Sequence, residues 1–208
     1  MIEYIIPENP DDRIIDKACS LIREGGIIVA PSDTSWLMLT DPFNKKSVER
    51  LYKIKDVDLK HHFSLICSDI SQASDVAIIE NSHFRLLKQM IPGPYTFIFN
   101  ATKKTSKTLK ATKVDKEIGV RFPKNKLLNK LLDHYNSPLL STNLNEALID
   151  NNDSEIYGYM LEEQISHLVE LILDPGETEF LGPSSIISLT DSAPEIIREG
   201  AGDLSFLK

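Results

Sequence analysis

Patterns typical of β-strands and α-helices alternate along most of the chain, and this alternation limits the fold more than any single motif does. Residues 27–30 form a continuous apolar run, which is typical of a strand buried on both faces of a sheet. Just before them, residues 14–22 carry apolar side chains at helical spacing, and Gly25 and Gly26 end that pattern. Repeated strand–helix–strand units favour a layered α/β domain with a mostly parallel or mixed sheet.

The same patterns predict the individual elements. We expect strands at 3–6, 27–30, 63–67, 95–99, 118–122, 138–140, 185–189 and 195–198. We expect helices near 11–24, 44–52, 71–77, 81–90, 127–132 and 161–171. The polar stretch 145–155, rich in Asn and Asp, reads as an excursion loop near the site. No internal repeat or linker divides the chain, so we predict one domain over residues 1–208.

The composition is that of an ordinary globular protein, with 41% hydrophobic and 26% charged residues. No apolar run approaches the roughly 20 residues of a membrane helix, and the opening lacks the pattern of a signal peptide. Cys19 and Cys67 are too few for a disulfide framework and suggest free thiols in a reducing compartment. We therefore expect a cytoplasmic protein.

The net charge of -8 hides an uneven distribution along the chain. Residues 102–126 contain nine Lys and Arg against Asp115 and Glu117, whereas residues 141–208 contain fourteen Asp and Glu against Arg198 and Lys208. A basic stretch on an acidic protein can attract phosphates or nucleic acid. It can equally be a solvated, lysine-rich surface, and the charge count leaves both readings open.

Polar residues cluster beside the ends of the predicted strands: two groups follow a strand, one ends a strand, and the group at 183–185 precedes one. Ligands collect at the carboxyl ends of strands in open α/β sheets. The groups are 31–35, 141–143, 183–185 and 198–200, and Lys55 lies just past an amphipathic helix. Hydroxyls, amides and fixed cations are suited to holding phosphate oxygens and a small zwitterion. Taken singly, each group has a simpler explanation as a turn, a helix cap or a solvated charge.

Two common kinds of site are disfavoured by the sequence. His61 and His62 are adjacent, and neighbours in an extended segment point to opposite faces, so we expect no metal site there. The chain also lacks the Gly-x-x-x-x-Gly-Lys-Ser/Thr motif of a P-loop. Any nucleotide is therefore expected to be held by scattered side chains.

The order of the motifs is more specific than any one of them. The ordered set resembles the YrdC/YciO family from about Gly25 to Gly202, and 61–65 leans toward the YciO branch. The motifs are Pro-Ser-Asp-Thr at 31–34, Leu-Tyr-Lys-Ile-Lys at 51–55, Pro-Gly-Pro-Tyr-Thr at 92–96, Gly-Val-Arg-Phe-Pro at 119–123, Ser-Thr-Asn at 141–143, Pro-Ser-Ser-Ile at 183–186 and Arg-Glu-Gly at 198–200.

The resemblance implies a three-layer α/β fold, in which a twisted, mixed, partly parallel sheet carries helices on both faces. It also implies an L-threonylcarbamoyladenylate synthase, which uses threonine, bicarbonate and ATP, with Mg²⁺ expected to accompany the ATP. The product of such an enzyme serves the N6-threonylcarbamoyl modification of adenosine 37 in tRNA. The family is also described as binding double-stranded RNA, so tRNA or double-stranded RNA is an implied partner.

The resemblance also assigns roles to individual residues. It places Lys55 at the nucleotide phosphates with Ser141 and Asn143 as a partner motif, and these three are the predicted catalytic residues. Ser184 and Arg198 join Lys55 and Ser141 as predicted nucleotide-binding residues. Thr34, Thr96 and Arg121 match positions that hold the amino acid or line the same cavity.

Departures from the family pattern keep other functions open. Val57 stands where the family has a phosphate-facing arginine, and Lys60 or His61 are candidates to contact the phosphates in its place. Trp36 and Leu37 replace smaller family residues and are expected to make the floor of the pocket bulkier. The alternative is an RNA-binding protein without synthase activity, whose binding would weaken steeply with salt. A third reading keeps the pocket but changes the substrate.

Overall fold

Eleven strands form one mixed sheet in the computed structural model of the chain, which describes residues 1–58, 61–103, 105, 116–144, 149 and 156–207. The strands are β1 (Ile2–Tyr4), β2 (Ile28–Pro31), β3 (Trp36–Thr40), β4 (Ser64–Ile66), β5 (Ala77–Ile78), β6 (Tyr95–Ala101), β7 (Glu117–Arg121), β8 (Leu139–Asn143), β9 (Leu171–Asp174), β10 (Ser185–Ser188) and β11 (Glu195–Arg198). The helices are α1 (Asp12–Arg23), α2 (Lys45–Lys55), α3 (Ile70–Ser74), α4 (Asn81–Met90), α5 (Lys126–Tyr135) and α6 (Gly158–Ile165), and a 3₁₀ turn covers Ser205–Leu207.

The strand order is β1-β9-β2-β3-β8-β4-β7-β6-β10-β11, with β5 paired to β6. Pairing is parallel in β1–β9, β2–β9, β4–β7 and β6–β10, and antiparallel in the other pairs. The predicted mixed, partly parallel sheet is therefore confirmed.

Two hydrophobic cores lie on opposite faces of this sheet. Ile28 and Ala30 of β2 pack with α1 and α5, whereas Val29 packs into the other core, which includes residues of α2, α4 and α6. All four residues of β2 are buried, as the continuous apolar run predicts for a strand covered on both faces. The molecule thus has the expected three layers, with helices on each side of the sheet.

Two predicted helices are wrong at their ends, and three strands were not predicted. The strands are β3, β5 and β9. The helix expected over 71–77 ends at Ser74, and Ala77 begins β5. The helix expected over 161–171 ends at Ile165, and Leu171 begins β9. The apolar residues of 168–173 continue the helical spacing of α6 closely enough to hide the change, because a short apolar run fits either structure.

Two expectations lie largely outside the described residues. Of the predicted excursion loop 145–155, the structure describes Ile149 alone, which is buried. Of the basic stretch 102–126, residues 104 and 106–115 are not described. Among the described residues, no helix is long and apolar enough to cross a membrane.

Candidate functional site

All eight residues predicted for the site line one cavity of about 460 Å³. These residues are Thr34, Lys55, Thr96, Arg121, Ser141, Asn143, Ser184 and Arg198. The volume falls within the range of about 300–1,000 Å³ that is usual for small-molecule sites. Residues separated by up to 164 positions in the chain, from Thr34 to Arg198, therefore share a single hollow.

The register of the central strands explains this convergence. Ser141 of β8 lies opposite Ser64 of β4, and Ser64 lies opposite Gly119 of β7. Gly119 in turn pairs with Ile98 of β6. Since every second residue of a strand faces the same side of a sheet, these positions and those two residues away form one continuous floor.

Lys55 projects from the last turn of α2 into this cavity. The helix starts at Lys45, where the Asn44 side chain accepts hydrogen bonds from the backbone N–H groups of Lys46 and Ser47. Lys55 Nζ donates to the backbone oxygen of Asn143 at 2.7 Å, which ties the end of α2 to the end of β8. Burial lowers the pKa of Lys55 from its ordinary value, as expected for an ammonium held partly out of water.

The Ser141 hydroxyl is buried and directed across the floor. Its Oγ donates to the backbone oxygen of Ser64 at 3.0 Å and lies 3.1 Å from Ser64 Oγ. Because the Ser141 hydroxyl donates its hydrogen to the protein, its oxygen lone pairs are left to accept a hydrogen bond from a ligand. Ser64 therefore belongs to the site, although it was not among the predicted site residues.

A buried ion pair forms another part of the wall. Arg121 Nη2 lies 3.3 Å from Asp33 Oδ1, and the same nitrogen donates to Thr34 Oγ1. Asp33 Oδ2 accepts from the backbone N–H of Lys124 at 3.1 Å. Burial lowers the pKa of Arg121, while Asp33 acts in the opposite direction. Nε of Arg121 is buried without a hydrogen-bond partner, so this guanidinium keeps an unused donor.

Arg198 is held by the strand next to its own. Its Nε and Nη2 donate to the backbone oxygen of Ser184 at 3.1 and 2.7 Å. Ser184 Oγ lies 2.8 Å from Thr96 Oγ1 and 3.3 Å from Arg198 Nη2. The three side chains form one polar network across β6, β10 and β11, so the cation is fixed in place before any ligand arrives.

The two histidines both line the cavity, contrary to the expectation that they point to opposite faces. The reason is that residues 61–62 precede β4, which begins at Ser64, so strand alternation does not govern them. Burial lowers the pKa of His61, and the charges of Lys55 and His62 lower it further. Among the described residues, no group of three or more His, Cys, Asp or Glu could hold a metal ion.

The expected effect of Trp36 and Leu37 on the pocket is wrong. Both side chains are buried in the cores on either side of β3, and neither lines the cavity. Trp36 packs edge-on against Phe180 at 6.2 Å between ring centroids, and its Nε1 donates to the backbone oxygen of Ile156. Val57 also packs against a core, so it takes no part in the lining.

Several lining residues were missed because their types carry no signal without the register of the sheet. They are Phe63, Ser64, Ile98, Glu117, Ile118, Gly119, Thr142 and Ile186. The alternation of polar and apolar residues in β4, β6 and β7 was the available clue, but it could not say which face was open. Of the described lining residues, Glu117 is the one carboxylate.

The sheet and the two helix layers define an α/β protein, with a cavity lined by hydroxyl, amide and cationic side chains on one face of the sheet. The family model for Sua5, YciO and YrdC, described as "Telomere recombination", matches residues 20–200. The chain therefore belongs to the Sua5/YciO/YrdC family.

The chain is similar to members of two branches of this family. It is 36% identical to the uncharacterized protein YciO of Escherichia coli over 97% of this chain and 96% of that protein. The crystal structure of E. coli YciO matches with a TM-score of 0.84 over 99% of this chain and 98% of that one. A putative threonylcarbamoyl-AMP synthase of Methanocaldococcus jannaschii is 23% identical over 95% of this chain and 90% of that protein.

A more distant structure shares the fold. P. abyssi Sua5 complexed with L-threonine matches with a TM-score of 0.82 and 23% identity. The match covers 96% of this chain and 57% of that one, so the relative carries a further portion that this chain does not match.

Proposed function

We propose that the protein is an L-threonylcarbamoyladenylate synthase, which uses threonine, bicarbonate and ATP. The observation that carries this proposal is the convergence of Lys55, Ser141 and Arg198 on one cavity with Thr34 and Arg121. Fixed cations and hydroxyls are suited to a phosphate chain beside a small zwitterion. Distant relatives named as threonylcarbamoyl-AMP synthases support the same reading.

The chemistry needs no protein nucleophile. The threonine amine attacks the carbon of bicarbonate, and loss of water gives a carbamate. A carbamate oxygen then attacks the α-phosphorus of ATP. The bond between that phosphorus and the bridging oxygen breaks, and pyrophosphate leaves with its electron pair. Catalysis therefore consists of holding three substrates in line and stabilising the charge on the phosphates.

The residues divide this work by position. Lys55 and Arg198 neutralise phosphate charge, while Ser141 and Asn143 orient the nucleotide. Thr34 and Arg121, which are hydrogen-bonded to each other, hold the amino acid. The backbone oxygen of Ser184 holds Arg198, and Thr96 contacts the hydroxyl of Ser184. Mg²⁺ would arrive with ATP and be held partly by phosphate oxygens, with Glu117 as the carboxylate within the described lining.

The product is proposed to serve the N6-threonylcarbamoyl modification of tRNA, which makes tRNA an eventual acceptor of the transferred group. This step concerns other enzymes of the modification. The activity of the purified protein is therefore tested without RNA.

The test is the formation of a labelled adenylate from ATP, magnesium, threonine and labelled bicarbonate. Replacing Lys55→Ala should reduce pyrophosphate release that depends on threonine and bicarbonate by about 100-fold or more, because a fixed cation at the phosphates is lost. Lys53→Ala is the matched control, since Lys53 is an exposed lysine of the same helix end. Unchanged turnover in Lys55→Ala would remove Lys55 from the site.

The same assay separates synthase activity from a changed substrate. Pyrophosphate release is compared across the common amino acids under identical conditions. A maximum with another amino acid would contradict threonine as the substrate while leaving the adenylate chemistry standing.

A further inference from the structure

His61 is held at the cavity wall by contacts on three sides. Its backbone N–H donates to the oxygen of Asp58 at 3.1 Å, and the hydroxyl of Tyr52 donates to its backbone oxygen at 2.8 Å. Its ring meets the ring of Phe63 edge-on, with 5.1 Å between centroids. Tyr52 and Phe63 are buried, with 4.5 Å between their ring centroids, so both the backbone and the ring of His61 contact a buried aromatic pair.

The cations of the cavity are already partly committed to the protein. Arg121 is paired with Asp33, and two nitrogens of Arg198 are bound to Ser184. Lys55 Nζ donates one of its three hydrogens to the backbone oxygen of Asn143. A triphosphate carries more negative charge than Lys55 and Arg198 neutralise, so a further donor near Lys55 would stabilise it.

We propose that His61, in its protonated form, supplies this donor and contacts the phosphate chain of a nucleotide bound beside Lys55. The inference rests on the proposed function, because it requires that the cavity hold a nucleotide with several phosphates. It makes His61 a binding residue of the site in addition to those that the family motifs indicate.

Charged groups around His61 set its protonation. Burial, Lys55 and His62 lower its pKa from the ordinary value of 6.5, and Asp58 raises it in part. The other charged groups lining the cavity are Glu117, Arg121 and Arg198. In the absence of a ligand the imidazole is therefore mostly neutral at pH 7.

Phosphate binding reverses this balance. The added negative charge raises the pKa of His61, so the protein takes up a proton as the nucleotide binds. The binding contribution of His61 is then complete below the pKa of the free protein, which lies under 6.5, and is lost as the pH rises through the higher pKa of the complex. Affinity for ATP should accordingly increase as the pH falls.

The first test compares ATP binding by calorimetry between pH 5.5 and 8.5 in the wild type and in His61→Gln. ATP protonates in the same range, but it does so for both proteins, so the ratio of their affinities isolates His61. We expect the wild-type advantage to grow about fivefold from pH 8 to pH 6, toward the limit of about tenfold that a pKa shift of about one unit allows at lower pH. His167→Gln, an exposed histidine outside the cavity lining, is the control and should track the wild type.

The second test follows the imidazole itself by NMR. The His61 ring signal, assigned by its loss in His61→Gln, should titrate with a higher pKa when ATP is present. The assignment of His61 would be overturned if ATP affinity varied with pH in the same way in the wild type and in His61→Gln. It would also be overturned if the pH dependence were lost in His62→Gln and kept in His61→Gln. If ATP binds and depends on Lys55 while His61→Gln is unaffected, this inference alone fails; if wild type binds no ATP, the proposed function fails with it.

Discussion

The buried pair of Arg121 and Asp33 links the stability of the fold to the shape of the site. Only 5% of the Arg121 side chain and 3% of the Asp33 side chain are exposed. A buried pair of this kind contributes little net stability, but removing one partner leaves the other charge without compensation. Because Arg121 also binds Thr34, the pair fixes the wall at which the amino acid is proposed to lie.

Asp33→Ala should therefore lower the free energy of unfolding by about 3–5 kcal/mol, measured by urea denaturation. The exposed pair of Lys126 and Glu8 provides the control, because its side chains are 68% and 72% exposed. Glu8→Ala should cost less than about 1 kcal/mol. Equal effects of the two substitutions would show that the Asp33 pair is not the fixed element described above.

At this scale the sequence predicted much of the site. Thr34, Lys55 and Arg198 were placed through ordered motifs, and the structure brings them to one cavity. Their roles stay predictions until the assays are done. Ser64 and Gly119 lie in the motif segments 61–65 and 119–123 but were given no role in the site, because a serine or glycine in a strand becomes informative only when its neighbours across the sheet are known.

At the scale of elements, β7 supplies the centre of the cavity floor. Gly119 stands between Ser64 of β4 and Thr96 of β6, and its lack of a side chain keeps the floor open. A Cβ at this position would lie 3.4 Å from Ser64 Cβ and from Thr96 Cγ2, which is ordinary van der Waals contact. The strand can therefore accept alanine at the expense of the cavity.

Gly119→Ala should keep the free energy of unfolding within about 1 kcal/mol of the wild type, because glycine in a strand is itself slightly destabilising. ATP binding should weaken by about fivefold or more, since a methyl group that overpacks the ligand costs about 1 kcal/mol or more. Calorimetric binding and urea denaturation measure the two effects separately.

Gly202→Ala gives the opposite pattern and serves as the comparison. A Cβ there would clash with the ring of Tyr95, so this variant should lower the free energy of unfolding before it affects ATP binding. Wild-type affinity in Gly119→Ala would contradict the assignment of Gly119 to the binding floor.

Two of the three strands that escaped prediction, β3 and β9, have a common cause. Strand β3 is buried throughout, and its apolar run lacks the alternation of a half-exposed strand. Strand β9 follows α6 so closely that its apolar residues extend the helical pattern. Both lie in the interior of the sheet order, where burial on two faces removes the periodicity that identifies a strand.

At the scale of the whole molecule, binding of a ligand to the cavity should raise the free energy and the temperature of unfolding. A ligand that binds only the folded protein at 100 times its dissociation constant stabilises it by about 2.7 kcal/mol. For a chain of 208 residues this corresponds to a rise of about 5–10 °C in the unfolding temperature. We expect ATP to produce this rise in the wild type, measured by calorimetry, and a much smaller one in Lys55→Ala at the same concentration.

An unchanged unfolding temperature at millimolar ATP would contradict nucleotide binding by the cavity. RNA binding by the lysine-rich stretch 102–126 stays a prediction from the sequence alone, because much of that stretch lies beyond the described residues. Its dependence on salt distinguishes it from binding in the cavity, which the Lys55→Ala variant reports.

The order in which the chain is synthesised gives the cavity a last consequence. Ser184 and Arg198 belong to β10 and β11 or adjoin them, near the carboxyl end, whereas Thr34 and Lys55 are made first. A growing polypeptide therefore contains Thr34 and Lys55 of the cavity lining long before it contains Ser184 and Arg198. The proposed nucleotide site is therefore complete only after the last two strands have been synthesised and have joined the sheet.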